Sequence, residues 1–285
     1  MYIGEAVDRF FENYIAGPGA YQVINALETD FLKQDVEIEE QLGEGGSFGV
    51  AFGLSDGTVL KITTDPDEAF AAKFLISKNF KHRNVAKFFD AVGVLPETKK
   101  EGFERSMDYV KIPFIGLVNL ERIAGTAGDE AAEEASDLNT LRARVWRANR
   151  FYTDELAAMS LTDRRERTKK TMRDLLDAIS LRIDEIAERT EESGQENVPD
   201  LLLDVRAGGE ALYDIGLYAA DFHDQNIGLG INIPDWKIFD IGVSSIPAGS
   251  RRALPKSAYL SNKSEWKSLG IVPKAEMNAL ELVRF

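Results

Sequence analysis

The sequence predicts an α+β protein built as two lobes, an antiparallel β region followed by a mostly helical one. Three observations predict this. Short apolar runs broken by glycine and turn residues fill 35–123. Apolar residues at spacings of three and four fill 138–218. Two further short apolar runs follow near 226–239. Strands that precede helices, instead of alternating with them, disfavour a doubly wound sheet and favour two lobes with a cleft between them.

Residues 2–15 carry Ile3, Ala6, Val7, Phe10, Phe11 and Tyr14 at helical spacing, and Gly17-Pro18-Gly19 ends that helix. A second helix spans about 20–33, with Val23, Ile24, Leu27 and Phe31 on one face. Alternation over Val36–Leu42 reads as a strand, and the glycine cluster Gly43-Glu44-Gly45-Gly46-Ser47-Phe48-Gly49 follows it. Val50–Leu54 and Thr58–Thr63 flank Ser55-Asp56-Gly57, the signature of a hairpin. Asp65-Pro66-Asp67 opens a helix to about Asn79, with proline at the first helical position.

Asn84–Val94 and Val110–Val118 read as strands, joined by a charged loop over 96–108. The Gly-, Ala- and acid-rich stretch 124–137 reads as a linker. Helices are expected over 138–161 and 162–190, the second with Met172, Leu175, Leu176, Ile179, Ile183 and Ile186 as one stripe. After a polar break at 191–197, a helix over 199–213 is weakened by Gly208-Gly209. Short strands over 226–231 and 236–239 follow. The tail after Ser244 reads as irregular up to a short helix near 274–283. Three segments result: a helical extension over 1–34, a β lobe over 35–123, and a helical lobe over 124–285 that contains helices 138–190 and loops 218–245.

Composition bounds the function. Lys and Arg number 34 against 48 Asp and Glu, a net charge of −14, which argues against nucleic acid as a partner because phosphate binding needs a basic footprint. The same excess of acid disfavours an anionic membrane surface, and no uncharged apolar run approaches the ~18 residues of a span. The chain has no cysteine, which removes thiol nucleophiles, disulfides and Cys-ligated metals, and only two histidines, His82 and His223. The N-terminal residues lack the pattern of a secretory leader, so the expected compartment is the cytoplasm.

Four pieces together suggest phosphoryl transfer: the glycine cluster, Lys61 in the second strand after it, Asp221-Phe222-His223-Asp224-Gln225-Asn226, and Asp240-Ile241-Gly242. Glycine amides approach phosphates because no Cβ intervenes. A lysine neutralises phosphate charge, an Asp orients an attacking hydroxyl, and an Asn with a second Asp supplies the oxygen ligands that Mg²⁺ prefers.

From about Val36 to Ser245 these residues resemble the protein-kinase-like superfamily, in a divergent, compact form like those of bacteria and their phages. Leu42–Gly49 resembles its glycine loop, Val59-Leu60-Lys61-Ile62 its lysine strand, His82-Arg83-Asn84-Val85 the element after its first helix, and Leu117–Ile123 the strand entering its hinge. The resemblance implies a bilobal fold with a truncated helical lobe, and ATP and Mg²⁺ as cofactors. Gly43, Gly45, Gly46, Gly49, Lys61 and His223 would contact phosphates, and Glu121 and Ile123 would meet the adenine edge. Glu68 would pair with Lys61, Asp221 would orient the acceptor hydroxyl, and Asn226 and Asp240 would hold the metal. The acceptor would be a protein Ser/Thr or a small molecule.

Departures from the family pattern are specific. The glycines are out of register, Ala219-Ala220 stand where the family has His-Arg, Glu68 lies only seven residues after Lys61, and 43 residues follow Gly242. Taken singly, the residues also have structural readings: Lys61 as a surface lysine, Glu68 as a helix-dipole acid, His82 as a capping or buried ring, His223 as loop packing, and Arg164–Lys170 as a solvated helix face. Two other functions stay open, a nucleotide-binding pseudokinase and a structural subunit that meets a protein partner through helices 2–33 or 138–190.

Overall fold

The structure, a computed structural model, describes residues 36–42, 49–63, 66–96, 115–151, 159, 161–193, 198–241 and 280–284. It shows a mixed α+β chain, with an antiparallel β region toward the N-terminus and a largely helical region after it. The expected helices 2–15 and 20–33 and the glycine cluster before Gly49 lie outside the described residues. Among the described residues no helix is long and apolar enough to cross a membrane.

Two compact units form. The first holds β1 (Ile38–Leu42), β2 (Gly49–Leu54), β3 (Thr58–Thr63), β4 (Phe88–Pro96), β5 (Ile115–Glu121), β9 (Leu280–Arg284) and helix α1 (Pro66–Ser77) up to Ile76. Its sheet runs β1-β2-β3-β5-β4-β9, antiparallel throughout. The β2–β3 turn forms at Ser55–Gly57 as its sequence demands. Gly57 sits at φ +80, where an L side chain is strained. Asp56 Oδ1 accepts from Thr58 N at 3.0 Å and Thr58 Oγ1 at 2.6 Å. Phe52, Leu54, Leu60, Ile62 and Leu117 form the buried centre, with Ala69, Ala71, Ala72 and Leu75 of α1 also buried.

The tail is a correction. Leu280–Arg284 is a strand paired with β4, not part of a helix over 274–283. β4 is hydrogen-bonded to β5 on one side, and its other edge would present unpaired N–H and C=O groups. Pairing across that edge overrides the local helical pattern.

The second unit holds the segment 77–87, β6 (Ile123–Thr126), α2 (Ala127–Glu130), α3 (Ala132–Ala148), α4 (Leu161–Ser193), α5 (Asp200–Asp214), β7 (Ile227–Gly230) and β8 (Trp236–Ile238). The stripe expected on the long helix is buried at Met172, Leu175, Leu176, Ile179 and Ile183, against Leu201, Leu202, Val205 and Leu212 of α5 and Leu138, Leu141 and Val145 of α3 in one core. A second correction falls on 124–137. It is ordered as β6, α2 and the start of α3, because alanine and first-turn acids suit a helix start as well as a linker. A third falls on Arg164–Lys170. Arg164 is only 4 % exposed, Arg165 and Lys169 lie over the Tyr218 ring, and Lys170 bonds Asn149 and Asp174, so this helix face is engaged rather than merely solvated.

Residues 80–87 are not strand, as expected from 84 onward, but irregular chain laid against β8. Asn84 O accepts from Ile238 N at 3.0 Å, Ala86 N donates to Ile238 O at 2.9 Å, and Asn84 Nδ2 donates to Trp236 O at 3.1 Å. Asp204 of α5 accepts from Trp236 N at 2.8 Å, and burial holds its carboxyl above the usual carboxylate range. His82 Nδ1 accepts from Asn84 N at 3.3 Å, and burial, aided by the Arg83 charge, holds its ring below the usual histidine range. The neutral ring is the form that can accept this bond, so His82 serves the local structure.

This arrangement explains Gly208-Gly209 inside α5. A Cβ on Gly208 would stand 2.5 Å from Asn84 O, and one on Gly209 would stand 2.6 Å from Leu176 Cδ2. Glycine lets 80–87 and α4 approach the helix. Gly208→Ala is therefore expected to lower unfolding free energy by ~1–3 kcal/mol through overpacking, although alanine is favoured in a helix interior by roughly 1 kcal/mol. Urea denaturation followed by circular dichroism reads the sign, and a variant as stable as the parent or more so contradicts the close approach.

Candidate functional site

The residues singled out in the sequence fall into two groups, one in each unit. In the first, Lys61 stands on β3 between Leu60 and Ile62, which are fully buried. Strand alternation turns Lys61 to the other face. Glu68 lies in the first turns of α1, and its Oε1 stands 2.6 Å from Lys61 Nζ. The lysine side chain is 16 % exposed and the glutamate side chain 3 %. The short separation of seven residues suffices because β3 ends at Thr63 and α1 begins at Pro66. A carboxylate this buried needs a cationic partner, and the pair sets the ammonium in place.

Gly49 opens β2 opposite Thr63. Gly43, Gly45 and Gly46 lie outside the described residues. Glu121 closes β5 opposite Thr58, and Ile123 opens β6 opposite Gly230.

The second group is the loop from Asp221 to the 3₁₀ turn Asp224–Asn226, with the chain after β8. Asn226 organises it. Its Nδ2 donates to Asp221 O at 2.9 Å, and its N donates to His223 O at 2.9 Å. Its O accepts from Phe239 N at 3.1 Å and Asp240 N at 3.4 Å. The loop thus brings Asp221, His223, Asn226 and Asp240 together. With Nδ2 committed to the backbone, Oδ1 is the side-chain atom of Asn226 that could serve as a ligand. His223 caps the turn, its Nδ1 3.2 Å from Gln225 N, and its Nε2 lies 4.0 Å from Asp221 Oδ1.

Three residues that hold this loop were missed in the sequence, all on α3. Arg142 Nε donates to Asp221 Oδ1 at 2.7 Å, and its terminal nitrogen reaches the same oxygen. Trp146 Nε1 donates to Ala220 O at 2.8 Å, and the Arg142 guanidinium lies 3.7 Å from the centre of the Trp146 ring. Asn139 Oδ1 accepts from Asp224 N at 3.2 Å. Burial would raise the Asp224 carboxyl, but hydrogen bonds with Asn139, His223 and Gln225 outweigh it and hold it below the usual carboxylate range. The available signal was periodicity: 139, 142 and 146 share a helix face beside the buried 138, 141 and 145.

Among the described residues no group of three or more His, Asp or Glu side chains stands ready to hold a metal. Asn226 Oδ1 and the Asp240 carboxylate are hard oxygen donors held on neighbouring backbone, a set that fits an ion taking one or two protein ligands plus phosphates and water, as Mg²⁺ does.

No family model matches the chain, and no curated protein matches it at a significant level.

Removing one member of the Lys61–Glu68 pair leaves a charge behind in a poorly solvated place. Lys61→Met is expected to cost about 3 kcal/mol of unfolding free energy, and the double variant Lys61→Met/Glu68→Leu is expected to regain most of it. Equilibrium denaturation of the three proteins checks this. A neutral single variant, or a double variant worse than the single, contradicts a buried pair.

Proposed function

We propose that the chain is an ATP- and Mg²⁺-dependent phosphotransferase with a protein-kinase-like fold. One observation carries the reading: Asp221, Asn226 and Asp240 are held by one set of backbone bonds centred on Asn226, with an acid, an amide oxygen and a second acid at hand. The Lys61–Glu68 pair supports it from the β unit, where the ammonium would neutralise nucleotide phosphates.

In this reading Asn226 and Asp240 hold Mg²⁺, which neutralises phosphate charge when bound. Asp221 accepts a hydrogen bond from the acceptor hydroxyl and orients its oxygen toward the γ-phosphorus. That oxygen forms a bond to phosphorus and gives its proton to the Asp221 carboxylate, as the bond to the bridging oxygen breaks and ADP leaves. Glu121 and Ile123 meet the adenine edge through backbone groups, and Gly43, Gly45, Gly46, Gly49 and His223 contact phosphates. The acceptor is a protein Ser/Thr, with a small molecule as the next choice, and ATP use suits a cytoplasmic setting. A protein partner, in this reading, would be met through residues 2–33 or 138–190.

A second reading, a nucleotide-binding pseudokinase, is favoured by Arg142, which already engages the Asp221 carboxylate. The two separate on turnover. Full-length protein with γ-labelled ATP and Mg²⁺ is expected to transfer label to itself or to a cell lysate. Asp221→Asn is expected to lower the rate by about 100-fold or more, with MgATP affinity retained, while Asn226→Ala and Asp240→Ala lose the Mg²⁺-dependent part of that affinity. Nucleotide affinity without transfer selects the pseudokinase, and no affinity for MgATP sinks both.

A further inference from the structure

We propose that Arg142 is the positioning residue for Asp221, and that the α3 face formed by Asn139, Arg142 and Trp146 is a working part of the site. The inference rests on the phosphotransferase reading. Both contacting guanidinium nitrogens address one oxygen, Oδ1 of Asp221. That oxygen is committed, and Oδ2 is the one left to receive an acceptor hydroxyl. A carboxylate gripped through one oxygen cannot rotate about its terminal torsion without breaking the fork, so Oδ2 is aimed as well as available.

The clamp is itself held. The Trp146 ring lies under the guanidinium, which restricts the arginine to one plane. Trp146 Nε1 binds the carbonyl of Ala220, the residue before Asp221. Asn139 fixes Asp224, three residues after it. One helix face therefore holds the loop on both sides of Asp221 and by its side chain. Leu138, Leu141 and Val145 anchor the adjacent face in the core, so the clamp is rigidly mounted. Ala220 offers no charge of its own at the loop, and Arg142 brings one from a different element.

The test uses full-length protein and MgATP, with and without a cell lysate as acceptor, and release, self-transfer or transfer to the lysate of labelled phosphate as the readout. A non-hydrolysable MgATP analogue gives affinity in parallel. Arg142→Ala is expected to lower kcat by about 100-fold through misorientation of Oδ2, with analogue affinity unchanged within about twofold. Arg142→Lys, which restores the charge and one hydrogen bond but not the fork, is expected to recover part of the rate. Trp146→Phe keeps the ring, loses the bond to Ala220 O, and is expected to fall between.

An Arg142→Ala rate within about twofold of the parent overturns the positioning role while leaving the phosphotransferase reading intact. Equal loss of rate and analogue affinity, or no recovery in Arg142→Lys, also overturns it, because a merely structural residue behaves that way. A parent protein that binds the analogue but turns nothing over, or that does not bind it, overturns the reading beneath and the proposal with it.

Discussion

Asn226 spends three of its polar groups on the backbone around it, and the second unit depends on that expenditure. Its amide nitrogen satisfies the carbonyl of Asp221, its own N–H closes the turn onto His223, and its carbonyl receives the amides of Phe239 and Asp240. The residue is buried, where each unmade bond would cost ~1–3 kcal/mol. The loop from Asp221 to Asn226 and the start of the chain after β8 are therefore tied to one another by this side chain and its peptide groups. The geometry leaves Oδ1 as the remaining polar atom. In the proposed function that oxygen is the one offered to a cation.

Helix α3 adds what the loop cannot supply. The protein carries a net charge of −14, yet a cation meets Asp221. The fold places that cation on a helix whose apolar stripe is locked into the core, with its polar stripe one position along. Spacings of three and four give both stripes to the same helix without conflict. Lys61 and Glu68 follow the same logic in the β unit: a strand and the helix that follows it place two opposite charges together, with no third element required.

Much of this was legible in the sequence where the signal is local. The β2–β3 hairpin follows from Ser55-Asp56-Gly57 between alternating runs, and the start of α1 from Pro66. The stripe of α4 follows from helical spacing, and Lys61, Asp221, Asn226 and Asp240 from their order and separations. What was not legible depends on partners far away in the chain. Asn84 and Trp236 are 152 residues apart, and nothing near Asn84 announces that Gly208 makes room for its carbonyl. Residues 124–137 read as a linker because alanine, glycine and acid content cannot separate a linker from a helix start. Leu280–Arg284 reads as helical because the open edge of β4 lies far earlier in the sequence. Arg142 and Trp146 escaped notice because a polar residue on a helix signals solvent until its partner is known, and Asp221 is 79 residues further on.

In the proposed function, Asn226 and Asp240 present oxygens to a divalent cation alongside nucleotide. Anomalous diffraction from crystals of the full chain, grown with Mn²⁺ in place of Mg²⁺ and a non-hydrolysable ATP analogue, tests it most directly. A Mn²⁺ peak is expected about 2.1 Å from Asn226 Oδ1 and from an Asp240 carboxylate oxygen. A bound nucleotide with Mn²⁺ elsewhere, or no Mn²⁺ at these two oxygens, would contradict it.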